Sequence, residues 1–185
     1  MFTFKQFIIK DAHCAMKVGT DGVLLGAWAD VEGCRHITDI GCGSGLIALM
    51  AAQRAPKAWV TGVEIDPEAA RDAMANVAAS PFAHHTEIVL ADVCRYAATA
   101  PKADCLLSNP PYHEEDLLPP GMARATARHT SGGGMGFEAL LRAVCQLLEP
   151  NNPHARFSLI LPTRALARFL PLAAVHGLYV TRRTD

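Results

Sequence analysis

The chain has 185 residues, half of them hydrophobic and 19% charged, with seventeen basic residues against eighteen acidic for a net charge of −1. That length suits one domain, and the balanced charge excludes a histone-like polybasic protein. No apolar run reaches the ~20 residues of a membrane span, and MFTFKQFIIKDAH lacks the long apolar stretch and cleavage site of a signal peptide, so a cytoplasmic location is expected.

Residues 1–34 read as an N-terminal extension packed on the rest. Phe2, Phe4, Phe7 and Ile9 suggest a short hairpin, and Asp21–Ala29 reads as a helix capped by Thr20 or Asp21. From there strand and helix signals alternate. Arg35–Ile40 is a short apolar run, and Gly45–Ala55 has helical composition up to Pro56. Ala58–Ile65 is a β-branched strand ending in acids. Pro67–Ala79 opens with proline and early acids, as helices prefer. Thr86–Ala91 and Ala103–Ser108 are strands closed by Asp92 and Asn109. Phe137–Leu148 is an amphipathic helix, Arg156–Leu161 a fifth strand, Thr163–His176 a helix, and Leu178–Thr181 starts a sixth strand. Strands joined by helical crossovers build a mostly parallel sheet covered on both faces, which predicts a doubly wound α/β domain over 35–185. Ligands bind such sheets outside the C-terminal strand ends, where Asp39, Glu64, Asp66, Asp92 and Asn109 fall.

Six scattered cysteines form no CxxC, and eight histidines show no HExxH spacing, so no metal site is expected. Charge is unevenly spread: residues 57–120 carry net −6, whereas 1–20 carry +2 and 157–185 carry +3. Basic ends that met in space would face an anionic partner.

Asp39-Ile40-Gly41-Cys42-Gly43-Ser44-Gly45 follows a strand and precedes a helix. Its G-x-G-x-G spacing is neither the nicotinamide fingerprint nor a P-loop. Asp39 would repel a pyrophosphate and suits a cationic group such as an ammonium. A carboxylate at Glu64 can accept from two ribose hydroxyls, and Asp92 from an adenine amine. This set resembles the S-adenosylmethionine site of class I methyltransferases, a Rossmann-like fold.

Asn109-Pro110-Pro111-Tyr112 directly follows the fourth strand. Two prolines hold the backbone extended, leaving the Pro110 carbonyl and the Asn109 side chain as fixed acceptors for a planar NH2 group. Losing planarity frees the amine's lone pair, and Tyr112 offers a face on which a flipped base can stack. The two motifs together resemble amino-methyltransferases of nucleic-acid bases, and equally the enzymes that methylate a release-factor glutamine.

The flanks narrow the choice. KVGTDGVLLGAW (17–28), DIGCGSGLIALMAAQR, VEIDPEAA, NVAASPF, SNPPY and ARHT (127–130) are similar, in order, to the bacterial tRNA1(Val) adenine-37-N6-methyltransferase family. That resemblance implies S-adenosylmethionine as cofactor, tRNA as partner, and methyl transfer to N6 of adenine 37 in the anticodon loop. By residue it implies Asp39, Gly41, Gly43 and Gly45 at the cofactor's methionine, with Lys17, Thr20 and Asp21 closing over it. Glu64 takes the ribose and Asp92 the adenine, with Asn109 bordering both cofactor and base. Asn109, Pro110 and Tyr112 are the expected catalytic residues, and Pro111, Arg124, Arg128 and His129 the expected substrate contacts. Residues 113–136 would be a substrate loop, ordered poorly without RNA. Arg164, Arg168, Arg182 and Arg183 are further candidates for a phosphate-binding rim. The alternatives are a release-factor glutamine enzyme, an rRNA or DNA base methyltransferase, and an RNA-binding module that has lost catalysis. Class I enzymes close with an antiparallel sixth and seventh strand. With a sixth strand starting near Leu178 no seventh remains, so an incomplete C-terminal strand pair and a truncated domain are expected.

Overall fold

The computed structural model describes residues 1–110 and 135–185. A two-residue hairpin, β1 (Phe2–Thr3) with β2 (Ile8–Ile9), leads into helix α1 (Thr20–Trp28). Next come β3 (His36–Ile40), α2 (Leu46–Arg54), β4 (Trp59–Glu64), α3 (Pro67–Ala78), β5 (Thr86–Leu90), α4 (Val93–Ala97) and β6 (Cys105–Ser108). After the undescribed residues follow α5 (Phe137–Leu147), β7 (Arg156–Leu159) and α6 (Leu166–Val175).

β3 to β7 form a five-stranded sheet in the order β5-β4-β3-β6-β7. Every neighbouring pair is parallel. The doubly wound α/β reading holds. Side chains alternate across the sheet as a pleated strand requires. Ile37, Val60, Cys105 and Leu107 pack under α1 and α2 on one face. Ile40, Val63 and Leu106 pack against α4 and α5 on the other. The chain grows outward from β3 to β5, then returns to place β6 on the other side of β3. The switch point therefore lies between the ends of β3 and β6.

Three local readings are corrected. Leu178–Thr181 forms no strand. Gly177, at φ 75°, reverses the chain after α6, and Leu178 N–H donates to Ala173 O at 2.9 Å. The chain then runs to α1, where the Arg182 guanidinium lies 4.1 Å from the Trp28 ring centroid and Trp28 Nε1 donates to Thr184 at 2.9 Å. A β-branched run makes a strand only with a neighbour to pair with, and this one has none among the described residues. Helix α1 starts one residue earlier than expected. Gly19 is its N-cap and Thr20 is already helical, so neither Thr20 nor Asp21 caps it. Helix α4 was not expected at all. Asp92 starts it as N-cap, its Oδ1 accepting from Cys94 N–H at 2.8 Å and Arg95 N–H at 3.2 Å. Among the described residues no helix is long and apolar enough to cross a membrane.

Candidate active site

A cavity of about 650 Å³ opens at the switch point. That is the size of a small-molecule site. Its walls bring together the 14–22 segment, the glycine loop, the ends of β4 and β5, and Asn109 at the end of β6.

The glycine loop is built by backbone geometry. Gly41, Gly43 and Gly45 all have positive φ, at 69°, 53° and 80°. Other residues would be strained there. The Gly41 and Cys42 N–H groups donate to Val63 O at 2.9 and 3.1 Å, tying the loop to β4. Gly45 serves packing: a Cβ on it would stand 3.4 Å from the Ala73 side chain of α3.

The Glu64 carboxylate organises the floor. Its Oε2 accepts from Gly43 N–H at 2.8 Å, and its Oε1 from Ile65 and Asp66 N–H at 2.9 and 3.0 Å. A carboxylate has about four lone-pair sites, so acceptor capacity remains toward the cavity. Asp39 is wholly buried behind the loop. Its Oδ2 accepts from Ala48 N–H at 3.0 Å, while Oδ1 finds no partner among the described residues. Burial pushes its carboxyl up to about 7, outweighing the Ala48 bond, and the nearby Glu64 charge adds to the rise.

The N-terminal segment forms a strap over one wall. Asn76 of α3 accepts from Lys10 N–H at 2.9 Å and donates to Lys10 O at 2.7 Å and Ser44 O at 2.9 Å. It thereby joins strap, helix and glycine loop. Asp72, one turn earlier, accepts from His13 N–H at 2.8 Å and faces the His13 Nδ1 at 2.9 Å. Burial raises the Asp72 carboxyl, but the His13 bonds outweigh it and hold it below its ordinary value. Asp11 Oδ2 accepts from Val18 N–H at 3.1 Å, and Lys17 Nζ donates to the Asp11 and Ala12 carbonyls at 2.6 and 2.9 Å. Lys17 thus spends its ammonium closing the strap.

Of the residues singled out from sequence, Lys17, Asp21, Gly41, Gly43, Glu64, Asp92 and Asn109 line one cavity. Thr20, Asp39, Gly45 and Pro110 stand outside that lining. Pro111, Tyr112, Arg124, Arg128 and His129 lie outside the described residues. Sequence reasoning missed Asp72 and Asn76, although their spacing of four sets both on the apolar face of α3 with Ala69, Ala73 and Val77. It missed Gly62 too, where a Cβ would meet Cys42 Sγ at 2.9 Å and Ile88 Cδ1 at 2.7 Å. An isolated glycine inside a strand is itself the signal of such close approach. Met16, whose Sδ lies 3.5 Å from Asn109 Nδ2, left no such signal.

Comparison with known proteins agrees with this geometry. The family model described as "Methyltransferase small domain" matches residues 14–133. The tRNA1(Val) (adenine(37)-N6)-methyltransferase of Phocaeicola vulgatus is 45% identical over 99% of this chain and 75% of its own length. That of Shewanella loihica is 44% identical over 100% and 75%. Among solved structures, TrmN from Thermus thermophilus superposes with a TM-score of 0.58 at 25% identity, over 81% of this chain and 40% of that one. A precorrin-6y C5,15-methyltransferase from Geobacter metallireducens reaches 0.60 at 16% identity, over 84% and 70%, and shares the fold. A switch-point cavity floored by a glycine loop and a strand-end glutamate, in a chain this similar to those relatives, places the protein in the small-domain methyltransferase family, among the tRNA1(Val) (adenine(37)-N6)-methyltransferases.

Proposed function

We propose that the chain transfers a methyl group from S-adenosylmethionine to the N6 amine of adenine 37 in the anticodon loop of tRNA1(Val). The observation that carries this reading is the position of Asn109. It stands at the C-terminal end of β6, beside the glycine loop of β3, on the wall of the cavity that Glu64 and Asp92 also line.

The cavity fits the cofactor. Its volume is adequate, the positive-φ glycines let the loop backbone come close to a ligand, and Glu64 Oε2 keeps an acceptor site for a ribose hydroxyl. Asp92, on the same cavity wall, takes the adenine amine in this reading. Asp39, whose Oδ1 has no partner among the described residues, sets a buried carboxyl behind the loop, and an ammonium nearby would favour its ionised form. Gly41, Gly43 and Gly45 shape the loop, and Lys17, Thr20 and Asp21 border the methionine end. When bound, S-adenosylmethionine supplies an electrophilic methyl group on a sulfonium sulfur.

Asn109 and the Pro110 carbonyl hold the target amine through two N–H bonds, so its lone pair turns out of the ring plane toward the cavity. Tyr112 stacks on the flipped base, a contact worth ~1–3 kcal/mol. Pro111, Arg124, Arg128 and His129 contact the RNA. Catalysis here is positioning with electrostatic support; the neutral amine needs no general base before attack. Residues 1–34 act as an extension that closes the cavity of the 35–185 methyltransferase body.

The test incubates methyl-labelled cofactor separately with total tRNA, release factor and DNA. Label in tRNA alone is expected, and label in release factor alone overturns the reading. Asn109→Ala should abolish transfer while cofactor binding persists. Loss of both together would give Asn109 a folding role instead.

A further inference from the structure

One wall of the cavity is built without the sheet. Residues 10–18 run as a strap with neither helix nor strand, and Cys14, Ala15, Met16, Lys17 and Val18 line the cavity. The strap is fixed at both ends. Before it, Phe7 and Ile9 are buried against Leu46, Leu49 and Val77. After it, Thr20 opens helix α1. A segment tied only at its ends, with no backbone ladder between, opens more readily than the strands and helices around it.

Helix α3 holds the middle. Apart from the Met16 contact with Asn109, the described hydrogen bonds from residues 10–18 to the sheet and its helices go to Asp72 and Asn76. Asn76 is buried, and its Oδ1 accepts from Lys10 N–H while its NH2 donates to Lys10 O and Ser44 O. Lys10 is thus gripped by both its backbone groups, as a neighbouring strand would grip it. Asp72 accepts from His13 N–H, faces the His13 ring, and lies 3.8 Å from the Cys14 thiol. Two polar side chains on the packed face of a helix are costly to bury unless bonded. Each such bond is worth little net, because water replaces it, so the strap can be released without unfolding α3.

We infer that Asp72 and Asn76 form a latch: they hold the strap closed along α3, and the cofactor enters and leaves when the strap lets go. The inference rests on the proposed function for the identity of the cofactor but not for the latch itself.

Asp72→Asn keeps an acceptor for His13 N–H and removes the charge facing the His13 ring; Asp72 has no described hydrogen bond to the glycine loop. With S-adenosylhomocysteine passed over the immobilised full chain, both kon and koff should rise about fivefold, the loss of one hydrogen bond, and Kd should stay nearly constant. His13→Ala, a change on an exposed side chain, should do the same without altering α3. Unchanged rates overturn the inference. A rise in koff alone also overturns it, because Asp72 would then shape the bound site and not gate it.

The second readout is amide exchange of Lys10 and His13, whose N–H groups are bonded to the latch. Exchange should slow under saturating S-adenosylhomocysteine and quicken at His13 in Asp72→Asn, while the β3 amides stay protected. Exchange at Lys10 and His13 that ignores the bound molecule overturns the inference. Should the wild-type chain not bind S-adenosylhomocysteine, the proposed function fails, and His13 exchange in Asp72→Asn still decides whether α3 latches the strap.

Discussion

Replacing Asp39 by asparagine should stabilise the free protein at pH 8 and do progressively less as the pH falls. The wild-type carboxyl is wholly buried, with one oxygen on Ala48 N–H and the other unpartnered among the described residues. Its folded-state value rises from the ordinary 3.8 to about 7, a penalty on the ionised form on the order of 4 kcal/mol. The unfolded chain gives up this proton near 3.8, whereas the folded chain keeps it until about 7. Between those values the unfolded state binds fewer protons, so stability falls as pH rises and levels off above about 7. Asparagine keeps an acceptor for Ala48 N–H and removes the titration. Its NH2 then takes the unpartnered side, at a cost of about 1–3 kcal/mol, so the net gain at pH 8 is about 1–3 kcal/mol. Urea unfolding of both proteins at pH 5, 6, 7 and 8 gives the difference directly. Wild type should lose about 2–3 kcal/mol relative to the variant between pH 5 and 7. Parallel stability curves over that range would refute the argument, because Asp39 would then not titrate there.

Two further outcomes follow from packing and from charge. Gly62→Ala forces a methyl group to within 2.9 Å of Cys42 Sγ and 2.7 Å of Ile88 Cδ1. It should cost about 1–3 kcal/mol in urea unfolding and weaken cofactor binding, since Cys42 belongs to the glycine loop; an unchanged unfolding midpoint would contradict the close approach. Arg164 is exposed on the 3₁₀ turn Thr163–Ala165 that follows β7. Arg164→Ala should reduce the slope of log K against log salt for tRNA binding by about one, and an identical slope would remove it from the phosphate rim.

The sheet was legible because its three central strands are buried on both faces, and all five read as apolar runs stopped by polar residues. Their observed limits differ from the expected ones by a residue or two. Elements decided by partners rather than by local pattern were not legible. Leu178–Thr181 has strand composition but no neighbouring ladder, and Gly177 turns it toward Trp28 instead. Helix α4 is five residues long, too short for a periodic signal. At the site, acids at strand ends stood out because topology makes those ends converge. What they do in the free protein could not be read, since Glu64 and Asp92 each cap backbone N–H groups. The strap's attachment to Asp72 and Asn76 spans about sixty residues of chain, and no local pattern reports such a contact.

The order of the strands also explains why the acidic middle of the sequence and its basic C-terminal part suit one reaction. Along the sheet, Asp92 follows β5, Glu64 and Asp66 close β4, the glycine loop follows β3, Asn109 follows β6, and Arg164 and Arg168 follow β7. The rim therefore runs from acid to base, with Asn109 between the two ends. Carboxylates at the β4–β5 end accept from hydroxyls and amines and repel a polyanion. Guanidiniums at the β7 end attract one. Under the proposed function a tRNA approaches over β7, keeps its phosphates clear of Glu64 and Asp92, and presents a single base across Asn109. In the sequence the acids at the ends of β4 and β5 come before the arginines that follow β7. The fold turns that order along the chain into a direction along the strand ends.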